Sequence, residues 1–155
     1  MDNMEELEKD QDLSLKLFVV LTRALQSIEK KTIKEINSQG LNLTEFGVLE
    51  LLYHKGDQPI QKIGQKILLA SSSITYVVDK LEEKNYLIRR GCPTDRRVTY
   101  ATITKEGKEL MDEIFPKYKL FLQEIMGGLS TNEKRSTIEQ LKKLGFYAQN
   151  YSFIS

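Results

Sequence analysis

The 155-residue sequence is poor in the residues that build metal sites and disulfides, since it holds one cysteine, one histidine and no tryptophan. A single cysteine excludes an intrachain disulfide framework and a cysteine-rich zinc site, and a single histidine excludes the common paired-histidine metal motifs. The sequence also lacks a nucleophile elbow, a phosphate-binding glycine loop and paired carboxylates in a recognisable motif. It therefore predicts neither an enzyme nor a protein with a metal ion or another cofactor.

Long apolar runs are missing as well. No stretch approaches the ~20 apolar residues needed to cross a bilayer, and the acidic start lacks the basic segment of a signal peptide. We therefore expect a cytoplasmic protein with no membrane partner. Hydrophobic residues make up 40% of the chain and charged residues 29%, which is typical of one helix-rich domain over 1–155.

The net charge of +1 hides an uneven distribution. Residues 1–14 hold six acids against one base, which gives −5. Residues 55–107 hold ten bases against six acids, which gives +4. Positive charge concentrated in one segment is what a contact with nucleic acid requires.

A helix-turn-helix pattern occupies residues 60–84. Isoleucines recur at helical spacing over 60–67, and an apolar turn at 68–70 follows. A second helix is predicted over 71–84, with four apolar residues on one buried face: Ile74, Val77, Val78 and Leu81. Its other side offers hydroxyls, a phenol and a cation, which form hydrogen bonds in a DNA major groove without bulk. These candidate DNA-binding residues are Ser71, which can also be the helix N-cap, Ser72, Ser73, Thr75, Tyr76 and Lys80.

Two short strands and a basic loop follow this helix. A first strand is predicted at 87–90, and a returning strand rich in β-formers at 98–103. Glycine and proline interrupt the backbone between them. The loop adds three candidate DNA-binding residues: Asp95, Arg96 and Arg97. The sequence thus predicts a mainly α-helical protein with a small two-stranded β wing, which is a winged helix-turn-helix. Arg89 and Arg90 can contact phosphates or simply flank the strand.

Long helical patterns flank a DNA-binding lobe predicted at 41–107. They span about 11–40 and 108–151, and the first is more apolar than a surface helix of a monomer. We interpret the apolar excess as a dimerisation face for a second copy of the chain; the alternative is burial by the chain itself. Residues 1–10 are acidic, and we expect them to be loose.

Local signals predict where several elements begin and end. Three helix starts are predicted from cap residues: Asn42 with Glu45, Thr104, and Ser130 with Glu133. Gly56 is predicted to end a helix, and residues 57–59 to form the turn that follows it. Glycines 127 and 128 should end the long helix after the wing, and Pro116 should kink that helix.

Several motifs carry a family resemblance, and they occur in the expected order along the chain. They are Ala70-Ser71-Ser72-Ser73, Leu81-Glu82-Glu83-Lys84, Asp95-Arg96-Arg97 and Thr104-Lys105-Glu106-Gly107. Together they resemble the MarR family of bacterial transcriptional regulators, and the resemblance covers most of the chain. It implies a homodimeric repressor of palindromic double-stranded DNA, with half-sites ~10 bp apart or a multiple of that distance.

The resemblance also implies roles for single residues. Arg97, the second arginine of the wing motif, would enter the minor groove, and Asp95 would steady it by an ion pair. Small aromatic effectors would bind between the lobe and the dimerisation helices, in a crevice lined by Phe18, Tyr53, His54 and Phe115. The chain is similar to the branch of the family that answers quinone-like and catechol-like phenolic compounds, so we expect such an effector to release the DNA.

Two alternative functions remain open at this point. One is a winged-helix module that binds proteins and not DNA, although the basic wing argues against it. The other is a thiol-based redox sensor using Cys92, whose pKa the nearby arginines would lower. The family's redox sensors carry their reactive cysteine near the N-terminus, where this chain has none.

Overall fold

A computed structural model describes residues 2–67 and 73–152. The predicted turn at 68–70 and the candidates Ser71 and Ser72 lie outside the described residues. The elements are α1 (Asp2–Ser38), α2 (Leu43–Lys55), β1 (Gln58–Pro59), α3 (Ile60–Lys66), α4 (Ile74–Glu83), β2 (Leu87–Gly91), β3 (Thr99–Ile103), α5 (Lys105–Ile125), a 3-10 turn (Met126–Gly128) and α6 (Thr131–Asn150). The chain is therefore mainly helical with one small sheet and a winged helix, which confirms the predicted fold class.

The chain divides into two compact units, Met1–Lys119 and Leu120–Ser155. A single hydrophobic core lies in the first unit, where α2, α4, the sheet and the start of α5 meet. Its fully buried side chains include Ile36, Leu49, Leu52, Ile63, Val78, Leu81, Leu87 and Met111. In the second unit, no described residue of α6 is buried. The prediction of one domain over 1–155 stays a prediction.

Helix α1 begins earlier than the sequence pattern predicted. It starts at Asp2, and residues 3–10 are helical and exposed, so the expected loose segment at 1–10 is wrong for these residues. Acidic side chains near a helix N-terminus interact favourably with the helix dipole, and leucine, glutamate and lysine are strong helix formers. The end of the helix at Ser38 agrees with the predicted end before Gly40.

The predicted helix caps are confirmed. Asn42 accepts from the backbone N–H of Glu45 at 2.7 Å, and Glu45 accepts in return from the backbone N–H of Asn42 at 3.1 Å. Ser130 and Glu133 form the same reciprocal pair at the start of α6. Gly56 ends α2 with φ of 77°, a backbone conformation that favours glycine.

The sheet has three strands where two were predicted. Its order is β1-β3-β2, and Gln58 and Pro59 pair with Ala101 and Tyr100 of β3. The turn predicted at 57–59 is therefore wrong at its last two positions. Two residues are too few to show an alternating pattern, and a proline suits only an edge strand, which β1 is.

The helix α4 starts later than predicted. Ser73 is its N-cap and makes no side-chain cap hydrogen bond, so the helix begins at Ile74 and not at residue 71. Val77, Val78 and Leu81 are buried as the apolar spacing predicted, whereas Ile74, at the start of the helix, is partly buried against the core.

The start of α5 is fixed tightly against the turn between α4 and β2. The N–H of Thr104 donates to the carbonyl of Tyr86 at 3.0 Å, and the Thr104 hydroxyl accepts from the N–H of Gly107 at 3.0 Å. A Cβ on Gly107 would lie 2.3 Å from the Tyr86 carbonyl oxygen, so only glycine fits. Thr104 is thus an N-cap as predicted. Pro116 lies inside a helix that is continuous over Lys105–Ile125, and a kink there stays a prediction.

Among the described residues, none of the helices combines the length and apolar character needed to cross a membrane.

Candidate nucleic-acid interface

The outer side of α4 presents a phenol and a cation side by side. The side chain of Tyr76 is 59% exposed. The Nζ of Lys80 lies 5.4 Å from the centre of the Tyr76 ring and 3.5 Å from a carboxylate oxygen of Glu83. Thr75 and Ser73 are exposed beside them. This side of the helix can donate and accept hydrogen bonds, and its lysine contacts an aromatic ring and a carboxylate of the same helix.

The wing tip holds one arginine extended into solvent. Asp95 accepts from the backbone N–H of Arg97 at 3.0 Å and from its Nε at 3.1 Å. The Nη2 of Arg97 also donates to the second oxygen of Asp95 at 3.4 Å. The Arg97 side chain is 91% exposed, so Asp95 orients one edge of the guanidinium while the rest remains accessible. The hydrogen bond from the Arg97 side chain is the main reason that the pKa of Asp95 lies below its usual range. Arg96 is exposed next to them.

The wing is also hydrogen-bonded to helix α3 of the helix-turn-helix. The side-chain amide of Gln61 on α3 donates to the backbone carbonyl of Arg97 at 3.2 Å. This contact could not be predicted from the sequence, because it joins residues 36 positions apart.

Arg89 on β2 forms ion pairs with two acidic residues of α4. Its Nη1 lies 2.9 Å from an oxygen of Glu82, and its Nη2 contacts a carboxylate oxygen of Asp79. The backbone N–H of Arg89 also donates to Glu82 at 3.2 Å. Sequence reasoning left Arg89 open between a phosphate contact and a structural position. The signal that could have resolved it is the pair of acids three positions apart on one side of α4.

Another ion pair joins α4 to α2. The Nζ of Lys84 lies 2.7 Å from Glu45, whose side chain is only 6% exposed. Because the other oxygen of Glu45 serves the capping box, one carboxylate both starts α2 and holds the end of α4. The capping box was predicted and the ion pair was not.

Three of the four predicted effector-site residues lie together between α2 and α5. The ring of His54 is 4.5 Å from that of Phe115 and 5.0 Å from that of Tyr53. The Tyr53 hydroxyl donates to Asp112. Phe18 is not part of this cluster; its side chain is 67% exposed on α1. The reason is that α1 presents this part of its surface to solvent and not to α2.

The cluster continues through residues that sequence reasoning missed. Phe46 packs edge-on against Tyr118 at 4.6 Å, and Tyr118 lies 6.4 Å from Phe115. Burial is the main cause that raises the pKa of Glu50, and the charge of His54 opposes it. Burial, followed by the charge of Glu50, raises the pKa of Tyr118. The site therefore combines aromatic rings with the partly buried carboxyl group of Glu50.

Cys92 lies in the wing and is partly buried. Its pKa is lowered mainly by the side-chain hydrogen bond with Thr94, 3.3 Å away. The expectation that nearby arginines lower it is wrong, because the charged residue that acts on the thiol is Asp95, which raises the pKa. Within 2–67 and 73–152, no group of histidine, cysteine and acidic residues is arranged to hold a metal ion.

The protein has the elements of a winged helix-turn-helix, a fold that binds duplex DNA. These are the short helix α3, the helix α4 with its exposed outer side, and the strands β2 and β3 with a basic loop between them. Residues 41–99 match the MarR family. The transcriptional regulator MhqR of Bacillus subtilis (strain 168) is 56% identical over 138 residues, which cover 89% of this chain and 95% of MhqR. The chain therefore belongs to the MarR family, and it is a DNA-binding transcriptional regulator and not an enzyme.

Solved structures share the fold. Sco3205, a MarR family transcriptional regulator from Streptomyces coelicolor solved in complex with DNA, matches with a TM-score of 0.76 at 17% identity, over 88% of this chain and 87% of that one. BpsR of Bordetella bronchiseptica, whose DNA binding is regulated by 6-hydroxynicotinic acid, matches with a TM-score of 0.74 at 24% identity. That match covers 84% of this chain and 98% of BpsR. At these identities the likeness concerns the fold.

Proposed function

We propose that two copies of this chain bind a palindromic operator as a repressor, and that a small aromatic effector of the phenolic or quinone-like class releases them. The observation that carries this proposal is the pairing of an exposed hydroxyl-bearing helix with a solvent-extended arginine on the wing. A repressor of this kind needs no chemistry, because covering the operator is enough to exclude other proteins from it. Chromosomal DNA lies in the bacterial cytoplasm, where we place the protein.

The recognition helix α4 and the wing have different tasks in this proposal. Base edges and phosphates in the major groove are contacted by Ser71, Ser72, Ser73, Thr75, Tyr76 and Lys80. Arg97 enters the adjacent minor groove, with Asp95 fixing its base and Arg96 beside it. An arginine suits that groove because its guanidinium loses water more easily than an ammonium group, and a narrow groove concentrates negative potential.

Dimerisation is supported by apolar side chains that the single chain leaves exposed. They lie on α1 and α6, and include Leu17, Phe18, Val20, Ile138, Leu141 and Leu144. Large exposed apolar patches mark interaction surfaces. A second copy of the chain would bury them and would set two recognition helices on the two halves of a palindrome.

The effector is proposed to act at the aromatic cluster of Tyr53, His54 and Phe115. The rings lie in contact distance of one another, so a planar ligand must part them to enter. The regulation of BpsR by 6-hydroxynicotinic acid supports an aromatic effector in this fold. A ligand that prefers the parted arrangement lowers DNA affinity by that preference alone, and DNA lowers its affinity by the same factor.

Selection of duplexes from a random pool by the purified protein tests the DNA-binding proposal. We expect a palindromic sequence to be enriched, and its affinity to fall linearly with salt on logarithmic axes because each neutralised phosphate releases counterions. Failure to enrich any duplex, or an affinity independent of salt, would favour the protein-interaction alternative.

The effector proposal is tested on the selected duplex with catechol and hydroquinone as probes. We expect these compounds to weaken DNA binding by the wild type and to have less effect on Phe115→Ala. The ratio of DNA affinities with and without the compound is compared within each protein, so that a change in basal affinity does not affect the comparison. Equal ratios in the wild type and Phe115→Ala would refute a site at the cluster.

A further inference from the structure

The side chain of one wing residue, Arg89, forms ion pairs with the recognition helix. Arg89 is the third residue of β2 and Asp79 and Glu82 lie on α4, so their ion pairs cross from the sheet to the helix. The guanidinium spans both carboxylates, and the backbone N–H of Arg89 adds a third bond to Glu82. Only 29% of the Arg89 side chain is exposed.

An arginine engaged in this way has little capacity left for DNA. Its two terminal nitrogens each face a carboxylate, and the adjacent acids would repel a phosphate brought to the same place. Arg90, the next residue, is exposed, and no ion pair of Arg90 appears among the described residues. The two neighbouring arginines of β2 are therefore chemically different.

Orientation matters here because two elements must reach two grooves together. The position of Arg97 at the wing tip is set locally by Asp95, whereas the ion pairs of Arg89 join the wing strand β2 to α4 and can restrain the angle between them. A planar, two-pronged guanidinium that bridges two carboxylates fixes that angle better than a single charge would.

We propose that Arg89 is a positioning residue, which holds the wing at the angle to α4 that lets Arg97 and the recognition helix engage DNA at the same time. The inference rests on the DNA interface proposed above. It assigns to Arg89 an effect on affinity that passes through Arg97 and not through a phosphate.

The sharpest test removes the two acids and leaves the arginine. In Asp79→Asn with Glu82→Gln, two negative charges disappear near the DNA-binding surface, so simple electrostatics predicts tighter binding. Positioning predicts the opposite sign, and we expect affinity for the selected duplex to fall by about threefold or more. Glu109→Gln with Glu113→Gln is the matched control, since both acids pair with lysines inside the single helix α5. Tighter or unchanged binding in the test variant would overturn the proposal.

Two further variants separate positioning from a direct phosphate contact. Arg89→Lys keeps the charge, so a phosphate contact would survive it, whereas a lysine cannot bridge both acids and affinity should fall. Arg89→Met should weaken binding. In an Arg97→Ala background it should leave the salt slope unchanged, whereas a lost phosphate contact would still reduce the slope by about 1.

The same Arg89→Met change should cost less in an Arg97→Ala background, because the residue it positions is already gone. Additive effects, or a reduced slope in that background, would overturn the proposal. DNA titration of the wild type distinguishes a failure of the proposed DNA interface from a failure of the inference about Arg89. An inactive wild type would contradict the DNA interface and this inference together, whereas an active wild type with unaffected variants would contradict Arg89 alone. Thermal unfolding of each variant reports whether the fold is kept.

Discussion

Helix α2 of the lobe and the final helix α6 start with the same kind of cap, but one is buried in the core and the other is exposed. Each helix starts at a reciprocal capping box, Asn42 with Glu45 in one and Ser130 with Glu133 in the other. Helix α2 then buries six of its residues, while α6 buries none. A cap specifies where a helix starts, but it does not supply the packing that keeps the helix stable.

This difference in burial shows which part of the chain has a hydrophobic core of its own. The lobe closes a core around side chains such as Leu49, Leu52 and Leu81. Helix α6 instead exposes Ile138, Leu141 and other large apolar side chains. We infer that the lobe can hold its shape as one chain, whereas α6 and the first half of α1 depend on a second copy.

The largest expected effect is on α6. Leu141→Glu with Leu144→Glu should convert the dimer to a monomer, because each charge would have to be buried at the proposed interface, and we expect a loss of about 4 kcal/mol or more. Sedimentation equilibrium measures the change. Gln140→Glu is the control for added charge on the same helix, and it should remain dimeric. A double variant that stays dimeric would contradict the inference that α6, unlike the lobe, depends on a second copy of the chain.

Within the lobe, the largest expected effect is at Gly107. Gly107→Ala should lower the free energy of unfolding by about 3 kcal/mol, because the new methyl group would meet the Tyr86 backbone carbonyl, which cannot move aside cheaply. Urea denaturation measures it. A Cβ on Gly127, in the second unit, would meet nothing within 4 Å, so Gly127→Ala should be nearly neutral. Equal effects at the two glycines would contradict the close packing of the lobe.

DNA affinity should depend on the wing and not on α6. Arg97→Ala should weaken binding to the selected duplex by about 1–3 kcal/mol at fixed salt, because the minor-groove contact is lost. Arg135→Ala removes the same charge from α6, where the arginine bonds to Asn132 of its own helix and, in the described part of the chain, to no other residue, and should have little effect. Fluorescence anisotropy compares the two. The role of the wing would be refuted if both variants bound as tightly as the wild type.

The smallest expected effect compares the two capping boxes directly. Glutamine can keep the box but not an ion pair. Glu45→Gln should therefore cost about 1 kcal/mol of unfolding free energy, since the charge on Lys84 loses its partner. Glu133 makes no such ion pair among the described residues, and Glu133→Gln should cost less. Chemical denaturation at matched protein concentration measures both. A larger cost at Glu133 would mean that surroundings do not decide the value of a cap.

Features encoded by neighbouring residues could be predicted from the sequence. The caps at Asn42 and Ser130 and the buried face of α4 each depend on residues within a few positions of one another. The ion pair of Asp95 with Arg97 was expected from the family resemblance. The likeness to a known family supplied the wing's role. The start of α1 was missed because an acidic segment was read as loose, although its residues favour a helix.

Contacts between distant segments could not be predicted in the same way. Strand β1 pairs with residues more than 40 positions away, and Lys84 meets Glu45 across 39 positions. Phe18 was grouped with Tyr53 and His54 as lining of the crevice that the family resemblance implies, but the sequence does not reveal which side of a helix faces the core. Arg89 looked like its neighbour Arg90 until the fold placed it beside two acids.

Two chains should bind one operator together, and the mass of the complex on the selected duplex tests this directly. Sedimentation velocity with labelled duplex and increasing protein should give a complex with two chains per duplex, with no one-chain complex accumulating before it. A complex that saturates at a single chain, or no complex at low salt, would contradict the account.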